Sequence, residues 1–118
     1  TGDARVFIRT ASFNMDTRAF FHKWMQDLRD AQGANGFIPA TAPVPVGLVG
    51  FSDDAGPGWS DAHVICPWTI YLCYGDTQIL RDNYASMKRW IEHIEASRSI
   101  GLVRSHPDLP GHLGYGDW

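Results

Sequence analysis

The stretch Asp61-Ala62-His63-Val64-Ile65-Cys66-Pro67-Trp68-Thr69-Ile70-Tyr71-Leu72-Cys73-Tyr74-Gly75-Asp76-Thr77 decides the fold. At helical period its apolar residues, Ala62, Val64, Ile65, Cys66, Trp68, Ile70, Tyr71, Leu72 and Cys73, spread around nearly the whole circumference. A helix apolar all round is a buried helix, so Trp68 is assigned to the core. Asp61 is a natural N-cap, and Gly75-Asp76 reads as a minimal stop and start. Pro67 falls inside the helix and leaves the His63 carbonyl without its usual partner. An interior proline costs ~3 kcal/mol, so a kink or a late start is expected. Cys66 and Cys73 lie two turns apart on one face, roughly 10 Å, too far for a disulfide. Both are read as buried thiols, which leaves the redox compartment open.

Working outward, a second helix follows at once, from about Thr77 to Ser97. Leu80, Tyr84, Met87, Ile91 and Ile94 form its stripe, with Arg81, Asp82, Lys88, Arg89, Glu92 and Glu95 mostly on the wet side. Upstream lies a long loop, about Ala34 to Ser60, holding Pro39, Pro43, Pro45 and Pro57 and several glycines. Loops of that length in compact domains are often functional. Before it, Thr17 to Gln32 is amphipathic: Phe20, Phe21, Trp24, Met25 and Leu28 share one face, and Gly33 is the stop. A mostly apolar helix, about Ala4 to Phe13, opens the chain with Asp3 as its cap, and Asp16 caps the next one. His22 and His93 read as solvated helix residues, and Trp24 and Trp90 as core residues.

These landmarks repeat. Asp3, Asp61 and Asp117 each stand where an apolar helix begins, at spacings of 58 and 56 residues. Each unit is an inner apolar helix, a tight turn, an outer amphipathic helix and a long Gly/Pro loop back. The fold class is therefore all-α, a two-layer αα-hairpin repeat closing as a solenoid or a toroid. About two hairpins and the start of a third span residues 1–118. Two hairpins alone would leave inner helices exposed on at least one side. The chain is expected to be a piece of a larger protein or to pack against other chains. A ring of six such units would need about 340 residues.

Composition narrows the function. The chain is 44% hydrophobic and 13% aromatic, which excludes disorder. With a net charge of −3 it has no basic excess for phosphates, so nucleic acid is not an expected partner. Its longest nearly unbroken apolar run, residues 64–74, falls short of the ~20 residues of a membrane span. Phosphate-loop, nucleophile-elbow and zinc-helix signatures are absent, and no cofactor is expected. His106 and His112, with Asp108 between them, match no metal-ligand template, so no metal is assigned.

Because tight turns sit at one end of the hairpins and long loops at the other, Asp3, Asp61 and Asp117 all face the loop end. They either only cap their helices or converge on a pocket there. A helix N-terminus favours the ionised carboxylate, which suits acceptance of substrate hydroxyls rather than proton donation. Trp59 and Trp118 flank two of these aspartates. They either pack down onto the helices or cover the apolar C–H face of a sugar whose hydroxyls the carboxylates hold.

Taken in order, Thr1-Gly2-Asp3-Ala4-Arg5-Val6-Phe7, Arg9-Thr10-Ala11, Phe13-Asn14-Met15-Asp16, Phe20-Phe21, Lys23-Trp24, Asp27-Leu28, Gly58-Trp59-Ser60-Asp61-Ala62, Pro67-Trp68-Thr69, Tyr74-Gly75-Asp76-Thr77, Met87-Lys88 and Gly116-Asp117-Trp118 resemble the catalytic domain of bacterial α-L-rhamnosidases. The resemblance implies an (α/α)6 toroid that hydrolyses terminal α-L-rhamnosyl groups with inversion. It places the proton donor, a Glu, a few residues before the Thr-Gly-Asp motif, and the base, another Glu, far downstream. No catalytic residue is then expected within this chain. Asp3 matches the aspartate that holds rhamnose hydroxyls, and Trp59 and Trp118 match aromatic positions around the sugar. Asp61, and by the repeat Asp117, are acidic positions of the same pocket. Two residues depart from the pattern: Ser60 where Gly is more frequent, and Arg5 where Gln is common. Both are expected at the pocket edge.

The expected partners are a rhamnosylated glycoside or oligosaccharide and the rest of the parent catalytic domain. Two other readings compete: an inverting glycosidase on the same toroid that acts on another sugar, such as a glucoside, and a non-catalytic helical-repeat scaffold that binds a protein. The scaffold reading places Trp59 and Trp118 on a flat or convex surface, whereas the enzyme reading gathers them around one concavity.

Overall fold

A computed structural model describes residues 1–47, 54–97, 99–100 and 103–104. It contains four helices, α1 (Gly2–Asn14), α2 (Arg18–Ala31), α3 (Ala62–Tyr74) and α4 (Thr77–Ser97). Helix α3 packs against α1, α2 and α4, and α2 also meets α4. Two αα-hairpins therefore lie side by side, with α1 and α3 in one layer and α2 and α4 in the other. One departure from an all-helical reading is a short antiparallel pair, β1 (Ser99–Ile100) and β2 (Val103–Arg104), with Ser99 opposite Arg104. No helix among the described residues is long and apolar enough to cross a membrane.

The helix starts are built differently from one another. Thr1, not Asp3, occupies the N-cap position of α1, and Asp3 lies inside its first turn. Asp16 Oδ1 accepts the Arg18 N–H at 3.1 Å and so serves the start of α2. Asp61 stands at the cap position of α3 without capping it. Asp76 does cap α4: its Oδ1 accepts the N–H groups of Gln78 and Ile79 at 3.0 and 3.2 Å. Gly75 ends α3 in the left-handed region at φ +67, which lets the chain reverse in two residues. Helix α3 begins at Ala62 and runs through the buried Pro67 with no late start.

The core gathers Ile8 of α1, Phe21, Met25 and Leu28 of α2, Ala62, Cys66 and Ile70 of α3, and Ile79, Trp90 and Ile94 of α4. Ile38 of the long loop inserts among them. Three expectations fail here. Trp68 and Cys73, assigned to the core, are not buried: helix α3 is open on one side, as two hairpins alone imply, with Trp68 and Leu72 about half exposed and Cys73 exposed. The two hairpins cover one side of this inner helix and leave the other open. The stripe of α4 is also rotated. Ile79, Asn83, Ser86, Trp90, His93 and Ile94 face inward, while Tyr84 and Ile91 are exposed. Finally, His93 is buried, stacked on Trp90 and bonded to Asp54. Hydrogen bonds make these polar residues acceptable inside, so apolar spacing alone pointed to the wrong face.

The polar part of the core is a chain of hydrogen bonds between α2, α3 and α4. Gln32 Nε2 donates to the carbonyls of Gly36 and Ser86 at 2.9 and 3.1 Å. Its Oε1 accepts the Ser86 hydroxyl at 2.8 Å. That uses the one hydroxyl proton, so His63 Nε2 must donate to Ser86 Oγ. Nδ1 of His63 is then a buried acceptor, without a hydrogen-bond partner among the described residues. Burial, helped by Arg29 and Arg89, pushes the His63 imidazole down to about 4. An unfolded histidine takes up its proton near 6.5. Below that pH the unfolded chain binds the extra proton and the folded one does not. His63 should therefore take about 3 kcal/mol from stability between pH 6.5 and 4, its share being complete below that. Urea unfolding of the parent domain at several pH values checks this. His63→Gln should remove that pH dependence, and an unchanged slope in the variant would contradict the assignment.

Candidate functional site

The hairpin ends differ in chemistry. At the short-turn end, the Tyr74 hydroxyl accepts the Thr17 N–H at 3.1 Å and donates to the Met15 carbonyl at 3.2 Å. His22 Nε2 meets Asp76 Oδ2 there at 2.7 Å, a contact that holds the Asp76 carboxyl below its ordinary range. These contacts tie the two turns together, and His22 is half-buried rather than fully solvated.

At the opposite end lie the N-termini of α1 and α3 and the long loop. The Thr1 nitrogen donates to the Ala40 carbonyl at 2.7 Å. Trp24 Nε1 donates to the Ala42 carbonyl at 2.9 Å, and Ser60 Oγ to the Ile38 carbonyl at 2.7 Å. The loop is thus folded back onto the helices, with Ile38, Pro39 and Ala40 buried. Ser60 is fully buried, so this departure from the family pattern pins the loop and does not shape a pocket edge.

Gly2 and Trp59 meet at this end. A Cβ built on Gly2 would lie 2.9 Å from Trp59 Cδ2, 3.1 Å from Cε2 and 3.2 Å from Cγ. Only a residue without a side chain lets the indole lie this close to the start of α1. Trp59 is half-buried. Asp3, the next residue along, is exposed and makes no hydrogen bond or ion pair among the described residues. It closes one end of a groove of about 490 Å³ between α1 and α2, whose walls include Phe7, Ala11 and Phe20. Arg5, two residues further along, has a buried Nε with no hydrogen-bond partner among the described residues.

Asp61 behaves differently. Its Oδ1 accepts Trp90 Nε1–H at 3.1 Å, and its Oδ2 accepts the Gly58 N–H at 2.8 Å. Both oxygens are engaged by groups of the chain itself. The structure therefore brings Asp3, Trp59 and Asp61 to one end of the hairpins, but only Asp3 offers an uncommitted carboxylate. Asp117 and Trp118 lie outside the described residues, as do His106, Asp108 and His112. Among the described residues no cluster of three or more His, Cys, Asp or Glu could hold a metal ion. Cys66, on the buried face of α3, is a packing residue: burial pushes its thiol up to about 12, far from a thiolate at neutral pH.

The contacts of Trp90 with Asp61 and of Gly2 with Trp59 are what sequence reasoning missed. Gly2 carried a usable signal, since a glycine inside the first turn of a helix costs stability and asks for a close neighbour. Trp90 carried none, because 29 residues separate it from Asp61.

Residues 1–118 match the model of the bacterial alpha-L-rhamnosidase 6 hairpin glycosidase domain. An alpha-L-rhamnosidase of Streptomyces avermitilis is 41% identical over 118 residues, all of this chain and 10% of the relative. One from Formosa agariphila is 38% identical over 119 residues, again all of this chain and 12% of the relative. The solved alpha-L-rhamnosidase from Dictyoglumus thermophilum superposes with a TM-score of 0.74 at 28% identity, over 87% of this chain and 12% of that one. The chain thus spans only about a tenth of the length of these relatives. A match running from its first residue to its last, on a helical-hairpin backbone that superposes on a solved member, makes this chain part of the bacterial α-L-rhamnosidase six-hairpin glycosidase domain family.

Proposed function

We propose that the parent protein hydrolyses terminal α-L-rhamnosyl groups with inversion, and that these residues supply part of its sugar pocket but neither member of its acid/base pair. The observation that carries this reading is the pairing of an uncommitted Asp3 with the Trp59 indole, which lies on Gly2. In this reading Asp3 accepts hydrogen bonds from ring hydroxyls, and Trp59 covers an apolar sugar face. Asp117 and Trp118 extend the same wall by the repeat. The acid and the base come from other segments of the parent. An acid protonates the glycosidic oxygen as the bond to the anomeric carbon breaks. A carboxylate takes a proton from the water attacking the opposite face.

The rest of the parent is the second partner. Phe7, Phe13 and Phe20 are more than half exposed on the α1–α2 flank, and Tyr84 and Ile91 are exposed on the α4 flank. Apolar surface on both flanks suits a unit placed between neighbouring hairpins.

Aryl glycosides tested on the full-length parent, with the first-formed anomer read by NMR, examine the proposal. Turnover of the α-L-rhamnoside with release of β-L-rhamnose is expected. Preference for a glucoside would move the assignment to another toroid glycosidase. No turnover of any glycoside would favour the scaffold.

A further inference from the structure

We propose that Asp61 is a positioning residue for Trp59 rather than a sugar ligand, and that the buried Trp90 of α4 sets the sugar-facing wall through it. This rests on the reading of Trp59 as part of the sugar site. The first argument is valence. Each Asp61 oxygen already accepts from a donor that cannot follow a sugar: Trp90 Nε1–H at 3.1 Å and the Gly58 backbone N–H at 2.8 Å. Those donors take one acceptor site on each oxygen and fix the carboxylate toward the turn, so Asp61 is oriented by the chain itself.

The second argument is where those donors lie. The Gly58 contact closes a four-residue turn, 58–61, with Trp59 inside it. Gly58 has φ +89, a backbone state that L side chains rarely adopt. The turn is held further by Ser60 N–H to the Gly56 carbonyl and Ala62 N–H to the Trp59 carbonyl, at 3.0 and 3.1 Å. It is pinned to the core through Ser60 Oγ. Trp90 is completely buried, and its ring stacks on His93 with centroids 5.7 Å apart. His93 Nε2 in turn meets Asp54 Oδ2 at 2.8 Å, so the upstream limb of the same loop is fastened to the same helix. A rigid path therefore runs from the outer helix to the turn that carries the indole. At its far end the ring rests on Gly2, where no side chain would leave it room.

A double-mutant cycle in the full-length parent tests this, with an aryl α-L-rhamnoside as substrate. Trp90→Phe keeps an aromatic ring on His93 and removes only the indole N–H. It should raise KM about five-fold, the net scale of one ordinary hydrogen bond, because the loss reaches the sugar only through the placement of Trp59, with kcat within about two-fold. If Trp90 acts through Trp59, the same change in a Trp59→Ala background should move KM by less than about two-fold. Asp61→Asn, which keeps one acceptor oxygen, should show the same coupling. A Trp90→Phe enzyme with unchanged KM, or effects that multiply fully in the Trp59→Ala background, would overturn the proposal. So would an Asp61→Asn enzyme that loses kcat while Trp90→Phe is silent, because that pattern belongs to a direct sugar contact. Failure of the underlying reading looks different: Trp59→Ala alone would leave KM unchanged.

Discussion

Asp3→Ala in the full-length parent should lower kcat/KM for an aryl α-L-rhamnoside by about 10²- to 10³-fold, with little change in melting temperature. The size follows from leaving substrate hydroxyls without their charged acceptor, a loss of about 3–4 kcal/mol in a site built to hold them. The small stability effect follows from position. Asp3 is exposed, and its favourable charge near the start of α1 is worth under about 1 kcal/mol. Asp3→Asn keeps the shape and one acceptor oxygen, and should lose less, about ten-fold. Steady-state kinetics and thermal unfolding of both variants separate the two roles. A fall in melting temperature with intact kcat/KM would make Asp3 a helix residue only.

The isolated 118 residues should release no aglycone above the buffer rate. The resemblance places both the acid and the base in other segments, and each such group is worth about 10² to 10⁴ in rate. A binding wall without them holds a sugar but does not cleave it. The open side of α3, with Trp68 and Leu72 half exposed, leaves that wall incomplete as well. A discontinuous assay with an aryl α-L-rhamnoside over hours checks this. Turnover that survives purification to homogeneity and disappears with Asp3→Ala would place catalytic groups within the chain and refute the assignment of roles.

Much of the architecture was legible because its signals are local. Gly75 in a left-handed cap and Asp76 bonded to two backbone N–H groups place the α3–α4 turn where the residues suggested. The 58-residue recurrence of Asp before an apolar helix made the two-layer order readable before any contact was known. What failed needed partners far along the chain. Ser86 and His93 became interior residues because Gln32, His63 and Asp54 satisfy them, and no window on α4 shows that. Trp68 and Cys73 were assigned to the core on apolarity, but their cover does not come from these two hairpins.

The site divided in the same way. Asp3 and Trp59 were proposed from residue type at a helix start, and the structure places the Trp59 indole on Gly2, the residue before Asp3. Asp61 looked equivalent to Asp3 in sequence. Its two hydrogen bonds, one from a tryptophan 29 residues downstream, set it apart.

A crystal structure of the full-length parent with bound rhamnose tests the central claim most directly. The account predicts sugar hydroxyls within hydrogen-bond distance, about 3 Å, of the Asp3 carboxylate, and the Trp59 ring about 4 Å from the sugar's C–H face. A sugar seated elsewhere in the domain, with Asp3 facing solvent or paired to a neighbouring hairpin, would contradict it.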